Sequence, residues 1–336
     1  MMYIASENRY DNMKYNYCGN SGLKLPAISL GLWQNFGDNA DYDEMKDIIL
    51  TAFDMGITHF DLANNYGPAP GSAEINFGKI FKENLKPYRD QLIISTKAGY
   101  EMWDGPYGCR GGSRKYLTAS LDQSLRRMGL DYVDIFYHHC VDEDTPLEET
   151  ALCLSDIIRQ GKSLYAGISN YYGKRMHKMH HRCDDFNVPF IINQNRYSLF
   201  DREIEKNGLK KQAVKKGKGI IAFSPLAQGQ LSGKYAGGIP KNSRLYKNEA
   251  LQEKLNYNTV RQKQIDDLNE IAKSRGQTLS QLAIQWLAQD KAVTSVLIGV
   301  HSKEQLLENI KALDYPAFSE EELKKIDEIS RINCKL

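Results

Sequence analysis

The sequence predicts a single α/β domain over residues 1–336: a closed (β/α)8 TIM barrel with an N-terminal β-hairpin and a long loop after its seventh strand. Three observations predict it. Short β-branched or apolar runs alternate with longer amphipathic segments eight times, as repeated βα units on a parallel sheet require. No G-x-G-x-x-G opens the first helix, which argues against an open dinucleotide-binding sheet. The nearest match, Gly217 and Gly219 with Ala222 in the last place, precedes a strand instead of following one. The length also suits one closed barrel, since such barrels routinely exceed roughly 250 residues.

The elements follow in chain order. Residues 14–26 read as a hairpin turning at Gly19, Asn20, Ser21 and Gly22, placed to close one end of the barrel. The barrel proper spans about 27–315, with strands at 27–33, 57–61, 92–97, 133–139, 163–169, 190–194, 219–224 and 294–299. The first helical stretch, DYDEMKDIILTAFDMG, sets Met45, Ile48, Ile49, Ala52 and Phe53 at helical spacing. Gly56, Gly129, Gly161 and Gly217 stand where helices are expected to end in a left-handed cap. The stretch from Pro225 to Asn256 is longer than an ordinary βα connection, with a helical patch near NEALQEKL, and a C-terminal helix is expected at about 319–330.

Composition excludes several classes. Forty-four Lys and Arg against 42 Asp and Glu give a net charge of +2, too little for a nucleic-acid partner held through its phosphates. No apolar run reaches the ~20 residues of a membrane span, and the first residues lack the apolar core of a signal peptide, so a cytoplasmic protein is expected. The six cysteines are scattered without CxxC or close Cys/His spacing. Reduced thiols are expected, with neither a disulfide framework nor a metal site.

Catalytic groups of a (β/α)8 barrel sit at the C-terminal ends of its strands. The second strand ends at Asp61 and leads to Tyr66, the third ends at Lys97, the fourth at His138 and His139, and the fifth at Ser169 and Asn170. An acid, a phenol, an ammonium and an imidazole on one rim suit proton donation to a carbonyl oxygen while a hydride arrives from a cofactor. A phenol of pKa ~10 is a poor acid at neutral pH, and a neighbouring ammonium lowers that value, so Lys97 is expected to do this for Tyr66. Asp61 would neutralise the buried ammonium. The imidazole would orient the carbonyl or relay the proton. Each residue alone has an ordinary reading, an ion pair or a structural histidine. Their joint occurrence at three successive strand ends is what points to function. Strand residues alternate faces, so only His139 shares a face with Ile135 and Tyr137.

Together GITHFDLANNYG, ISTKAGY, MGLDYVDIFYHH, YAGISN, INQNRYS, IAFSPLAQGQLSGKY and SVLIG...EQLLEN resemble the aldo-keto reductase superfamily over about residues 14–315. AGYEMWDGPYG, GGSRKYL and VDEDTPLEET are similar to the branch that holds bacterial reductases of L-glyceraldehyde 3-phosphate and the β-subunits of potassium channels. The resemblance implies a catalytic tetrad of Asp61, Tyr66, Lys97 and His139. It implies NADPH as cofactor, with Ser169, Asn170 and Gln194 on the nicotinamide carboxamide and Phe223 stacked on its ring. Ser224, Pro225, Leu226, Gln228, Gly229, Leu231 and Lys234 would wrap the pyrophosphate. Gly299, Lys303, Gln305, Glu308 and Asn309 match the adenosine end, where the Arg usual in relatives is absent and Lys303 offers only a point charge.

A small aldehyde is the implied substrate, and relatives form homo-oligomers. Trp33, Trp103 and Tyr66 are expected to wall the substrate site. Arg110 is expected to hold a phosphate, whereas Arg114 and Lys115 can equally well start a helix and face water. Two other readings compete. One is a cofactor-binding regulatory subunit, disfavoured because channel β-subunits replace the imidazole that His139 keeps here. The other is a lyase using Lys97 as a Schiff base, which leaves the cofactor segments without a purpose.

Overall fold

The computed structural model describes residues 3–241, 243 and 245–331; Cys334 lies outside them. Strands β1 (Tyr15–Tyr17) and β2 (Lys24–Pro26) form an antiparallel pair. Eight further strands follow: β3 (Ile28–Gly31), β4 (His59–Asp61), β5 (Ile93–Ala98), β6 (Val133–His138), β7 (Ser163–Ser169), β8 (Phe190–Arg196), β9 (Gly219–Phe223) and β10 (Ser295–Ile298). All eight pair in parallel and in chain order, and β10 joins both β9 and β3 to close the barrel. Each coincides with an expected run.

The helices between and after them are α1 (Tyr42–Asp54), α2 (Ser72–Ile80), α3 (Arg114–Met128), α4 (Leu147–Arg159), α5 (Gly173–Asp185), α6 (Glu203–Lys206), α7 (Leu209–Lys215), α8 (Glu249–Lys254), α9 (Thr259–Ser274), α10 (Leu279–Ala288), α11 (Lys303–Ile310) and α12 (Glu320–Ser330). Helix α1 shows why the pattern was readable. The Asp41 carboxylate accepts the Glu44 N–H and starts the helix, and its buried face is Met45, Ile48, Ile49, Ala52 and Phe53. The glycines expected to end helices, Gly56, Gly129, Gly161 and Gly217, all have positive φ, between 62° and 84°. The long segment after β9 holds a 3-10 turn at Ala227–Gly229 and then α8, where the helical patch was expected.

The hairpin closes the bottom of the barrel, where the strands begin. Cys18 and Leu25 are fully buried in one cluster with Ile135, Tyr137, Ile192, Ile221 and Leu297 from the barrel wall. The Cys18 thiol reaches the Ile191 carbonyl at 3.6 Å, and Asn20 N–H donates to the Gly217 carbonyl at 2.8 Å. Gly19 makes this docking possible: at φ 60° a Cβ there would lie 2.0 Å from the Gly217 oxygen. Five cysteines are free among the described residues, and no described helix is long and apolar enough to cross a membrane.

Candidate active site

The site is built where β4, β5 and β6 end. Lys97 is fully buried, and its Nζ donates to Asp61 Oδ2 at 2.5 Å, to the Leu62 carbonyl at 2.6 Å and to Tyr66 Oη at 3.2 Å. Three acceptors use all three ammonium protons. Asp61 Oδ1 accepts from Ser95 Oγ at 2.7 Å and from Gln194 Nε2 at 3.1 Å. The carboxylate is thus held on both oxygens although it has no exposure. Burial pulls the Lys97 pKa down, but Asp61 and Tyr66 together outweigh it and raise the value above its ordinary one, so the group stays an ammonium. A Schiff-base nucleophile would need the opposite shift.

Tyr66 differs from the expectation in one respect. Lys97 does pull its pKa down, but burial opposes this more strongly and Asp61 adds to burial, so the phenol sits above its ordinary value. Strand spacing shows the neighbouring ammonium, while the desolvation that outweighs it depends on the closed barrel. Because Oη accepts from Lys97, the phenol's own proton is not used in that bond.

The two adjacent histidines part company as strand alternation requires. The His139 ring lies 5.9 Å from the Tyr66 ring and 4.7 Å from Tyr100. Its Nδ1 is buried without a hydrogen-bond partner among the described residues. Burial, with Lys97 and His138 adding to it, holds its pKa well below the usual imidazole value, so the ring is neutral. The His138 ring turns the other way, its Nδ1 2.6 Å from the Tyr171 hydroxyl.

The remaining rim residues fall into two groups. Trp33 stands exposed beside Tyr66, ring centroids 6.3 Å apart. Trp103 instead stacks on Tyr116, ring centroids 5.3 Å apart. Tyr100, directly after β5 and not singled out from sequence, takes the place against His139; its position one turn past a strand end was the available signal. Arg110 lies with its guanidinium 5.6 Å from the Tyr100 ring. Arg114 starts α3 and pairs with Asp156, so it serves the helix.

The segments expected to hold a dinucleotide line the same end. Asn170, at φ 57°, donates to the His139 carbonyl at 3.1 Å and to Ser169 Oγ at 3.2 Å. Gln194 is turned onto Asp61 and not outward. Phe223 ends β9, next to Ser224 (φ 55°), which opens a turn through Pro225 and Leu226 to Gln228 (φ 56°) and Gly229 (φ 91°). Leu231 is buried beneath this turn, and Lys234 is exposed with its ammonium 5.0 Å from the Tyr235 ring. A Cβ at Gly229, Gly233 or Gly299 would meet nothing within 4 Å, so the backbone there borders open space. On α11, Gln305 accepts the His301 N–H, Asn309 is buried with an unpartnered Nδ2, and the Glu308 carbonyl accepts from Gln281. Lys303 pairs with Asp47 of α1 at 3.2 Å.

The aldo/keto reductase family model matches residues 27–331. This chain belongs to the aldo/keto reductase family. It is therefore an oxidoreductase. The chain is 53% identical to L-glyceraldehyde 3-phosphate reductase of Escherichia coli K12 over 336 aligned residues, covering 98% of this chain and 95% of that protein. It is 34% identical to a putative voltage-gated potassium channel subunit beta of Schizosaccharomyces pombe, over 95% of this chain and 93% of that one. A crystal structure of a thermostable aldo-keto reductase in complex with the inhibitor epalrestat superposes with a TM-score of 0.75, at 30% identity, covering 94% of this chain and 100% of that one.

Proposed function

We propose that this aldo/keto reductase reduces small aldehydes to alcohols with NADPH, Tyr66 donating the proton. Glyceraldehyde 3-phosphate is the leading substrate; methylglyoxal and aromatic or furan-type aldehydes are further candidates. The observation that carries the reading is the Lys97 geometry: one ammonium bonded at once to Asp61 and to a phenol oxygen that accepts from it and so keeps its own proton to give.

The residues present fit the cofactor. Open space beside Gly229, Gly233 and Gly299 allows a pyrophosphate to approach the backbone. The unpartnered Asn309 amide is a donor for the adenosine end, at a helix whose N-terminus favours phosphate. Ser169, Asn170 and Gln194 would hold the carboxamide, Gln194 by turning its amide from Asp61, and Phe223 would face the ring. When bound, the nicotinamide supplies a hydride to the carbonyl carbon. Tyr66 stays protonated until then, and the ammonium 3.2 Å away stabilises the phenolate left behind. Neutral His139 and Tyr66 would fix the carbonyl oxygen between them. Arg110, exposed on the rim beyond Tyr100, offers a charge for a substrate phosphate.

A panel of aldehydes with NADPH and NADH, followed by loss of reduced-cofactor absorbance, tests this. Phosphorylated glyceraldehyde should have a higher kcat/KM than its unphosphorylated form, and NADPH should exceed NADH. A clear NADH preference would show that Lys303 does not leave Asp47 for a 2′-phosphate.

A further inference from the structure

Behind Asp61 a hydrogen-bond chain crosses the barrel interior through side chains with no role in the proposed chemistry. Ser95 Oγ, which donates to Asp61 Oδ1 at 2.7 Å, lies 2.9 Å from His59 Nε2. His59 Nδ1 lies 2.8 Å from Ser29 Oγ, and the Ser29 and Ser295 hydroxyls are 2.6 Å apart. Ser295 ends the chain by donating to the Pro26 carbonyl at 2.6 Å. Ser29, His59, Asp61, Ser95 and Ser295 are at most 1% exposed, so bulk solvent cannot complete the chain.

The protons can be counted. Both ends, a carbonyl and a carboxylate, only accept. Between them lie five links, while three hydroxyls and a neutral imidazole bring four protons. A fifth is present only when His59 is ionised. The charged groups facing His59 are Asp61 on its own strand, which favours the imidazolium, and Lys97 on β5, which opposes it; β3 and β10 present only the hydroxyls of Ser29 and Ser295. Burial dominates and pushes the His59 pKa down to about 4, so at neutral pH the chain holds four protons.

One link must therefore lack a proton. A carboxylate is the strongest acceptor in the chain, so the link from Ser95 to Asp61 keeps its proton. Ser95 has then no proton left for His59. A hydroxyl oxygen that donates to a carboxylate is a strengthened acceptor, which favours the ring proton on the Nε2 that faces it at 2.9 Å over an Nδ1–H that would oppose two lone pairs there. We infer that His59 is a positioning residue for the reaction, held as its Nε2–H tautomer so that Ser95 donates to Asp61 Oδ1 and leaves Oδ2 facing Lys97. The deficit falls at the far end, on the Ser29 and Ser295 hydroxyls. This rests on the reading of Asp61, Tyr66 and Lys97 as the proton-handling set.

The test uses the full-length protein with three substitutions. Ser95→Ala and His59→Leu should each lower kcat about tenfold, as loss of an outer hydrogen-bond partner commonly does, with KM and cofactor Kd within about twofold. With its donor gone, the Asp61 charge acts more strongly on Tyr66, so the alkaline limb of the kcat profile should move to higher pH. The double variant should be no worse than either single one. His59→Gln, which keeps a donor N–H, should restore most of the rate. Nitrogen-15 shifts of His59 should report the Nε2–H tautomer. An Nδ1–H tautomer, or a Ser95→Ala enzyme with unchanged kcat and pH profile, overturns the inference. Should His59→Leu fail to fold, Ser95→Ala carries the kinetic test, since it removes one oxygen. A fully active Tyr66→Phe would overturn the underlying reading itself; an inactive Tyr66→Phe beside an unaffected Ser95→Ala overturns only the role of His59.

Discussion

The two ends of the barrel use their buried groups in opposite ways. At the bottom, Cys18 and Leu25 fill the space between strand starts with apolar surface, and the hairpin backbone docks on Gly217. At the top, the interior holds an ammonium, a carboxylate and the imidazole of His139, its basicity depressed. A buried ion pair is often less stable than apolar residues of the same shape, because desolvation offsets the attraction. Its retention at the top, with the plug at the bottom, separates the groups that hold the barrel closed from those proposed to do its chemistry.

The comparison can be broken most severely at Lys97. Lys97→Met should lower kcat by more than about a thousandfold and, by leaving Asp61 buried without a counter-charge, cost roughly 3–5 kcal/mol of stability. Steady-state kinetics and a urea midpoint report both losses. Wild-type stability in this variant would mean that the top is not held as described. Leu25→Ala tests the other end. Removing a fully buried side chain there should cost about 2–5 kcal/mol through the cavity it leaves. At temperatures where the variant remains folded, its kcat should be unchanged; a matching fall in kcat would mean that the ends are coupled.

A smaller effect comes from acid. His59, His138 and His180 are each pushed by burial from 6.5 down to about 4. Between those values the unfolded chain binds more protons than the folded one. Their contribution is therefore fully present above about pH 6.5 and is lost as pH falls toward 4, at roughly 1.4 kcal/mol per pH unit per imidazole. Tm measured against pH should be level near neutrality and fall below pH 6.5. A Tm that rises on acidification would contradict these neutral, buried rings.

The two regions also differed in how far the sequence revealed them. Strand and helix positions were readable because each β run is bounded by turn residues and each helix carries an apolar stripe, as Met45, Ile48 and Ile49 do in α1. Asp61, Lys97 and His139 were readable because they end successive strands. What escaped depends on neighbours across the closed sheet. His59 lies between Ser29 and Ser95, which belong to β3 and β5, and only the barrel's strand order brings them together. The net direction of the Tyr66 shift depends on desolvation by surrounding strands. The turning of Gln194 onto Asp61 and of Trp103 onto Tyr116 are tertiary choices with no periodic signature.

The central claim is that Tyr66 gives the proton. Tyr66→Phe removes one hydroxyl and leaves the Lys97–Asp61 pair intact, so NADPH binding, read by fluorescence titration, should be unchanged. Turnover of glyceraldehyde 3-phosphate should fall by about 10²–10⁴-fold. A Tyr66→Phe enzyme that binds NADPH and turns over at the wild-type rate would contradict the claim.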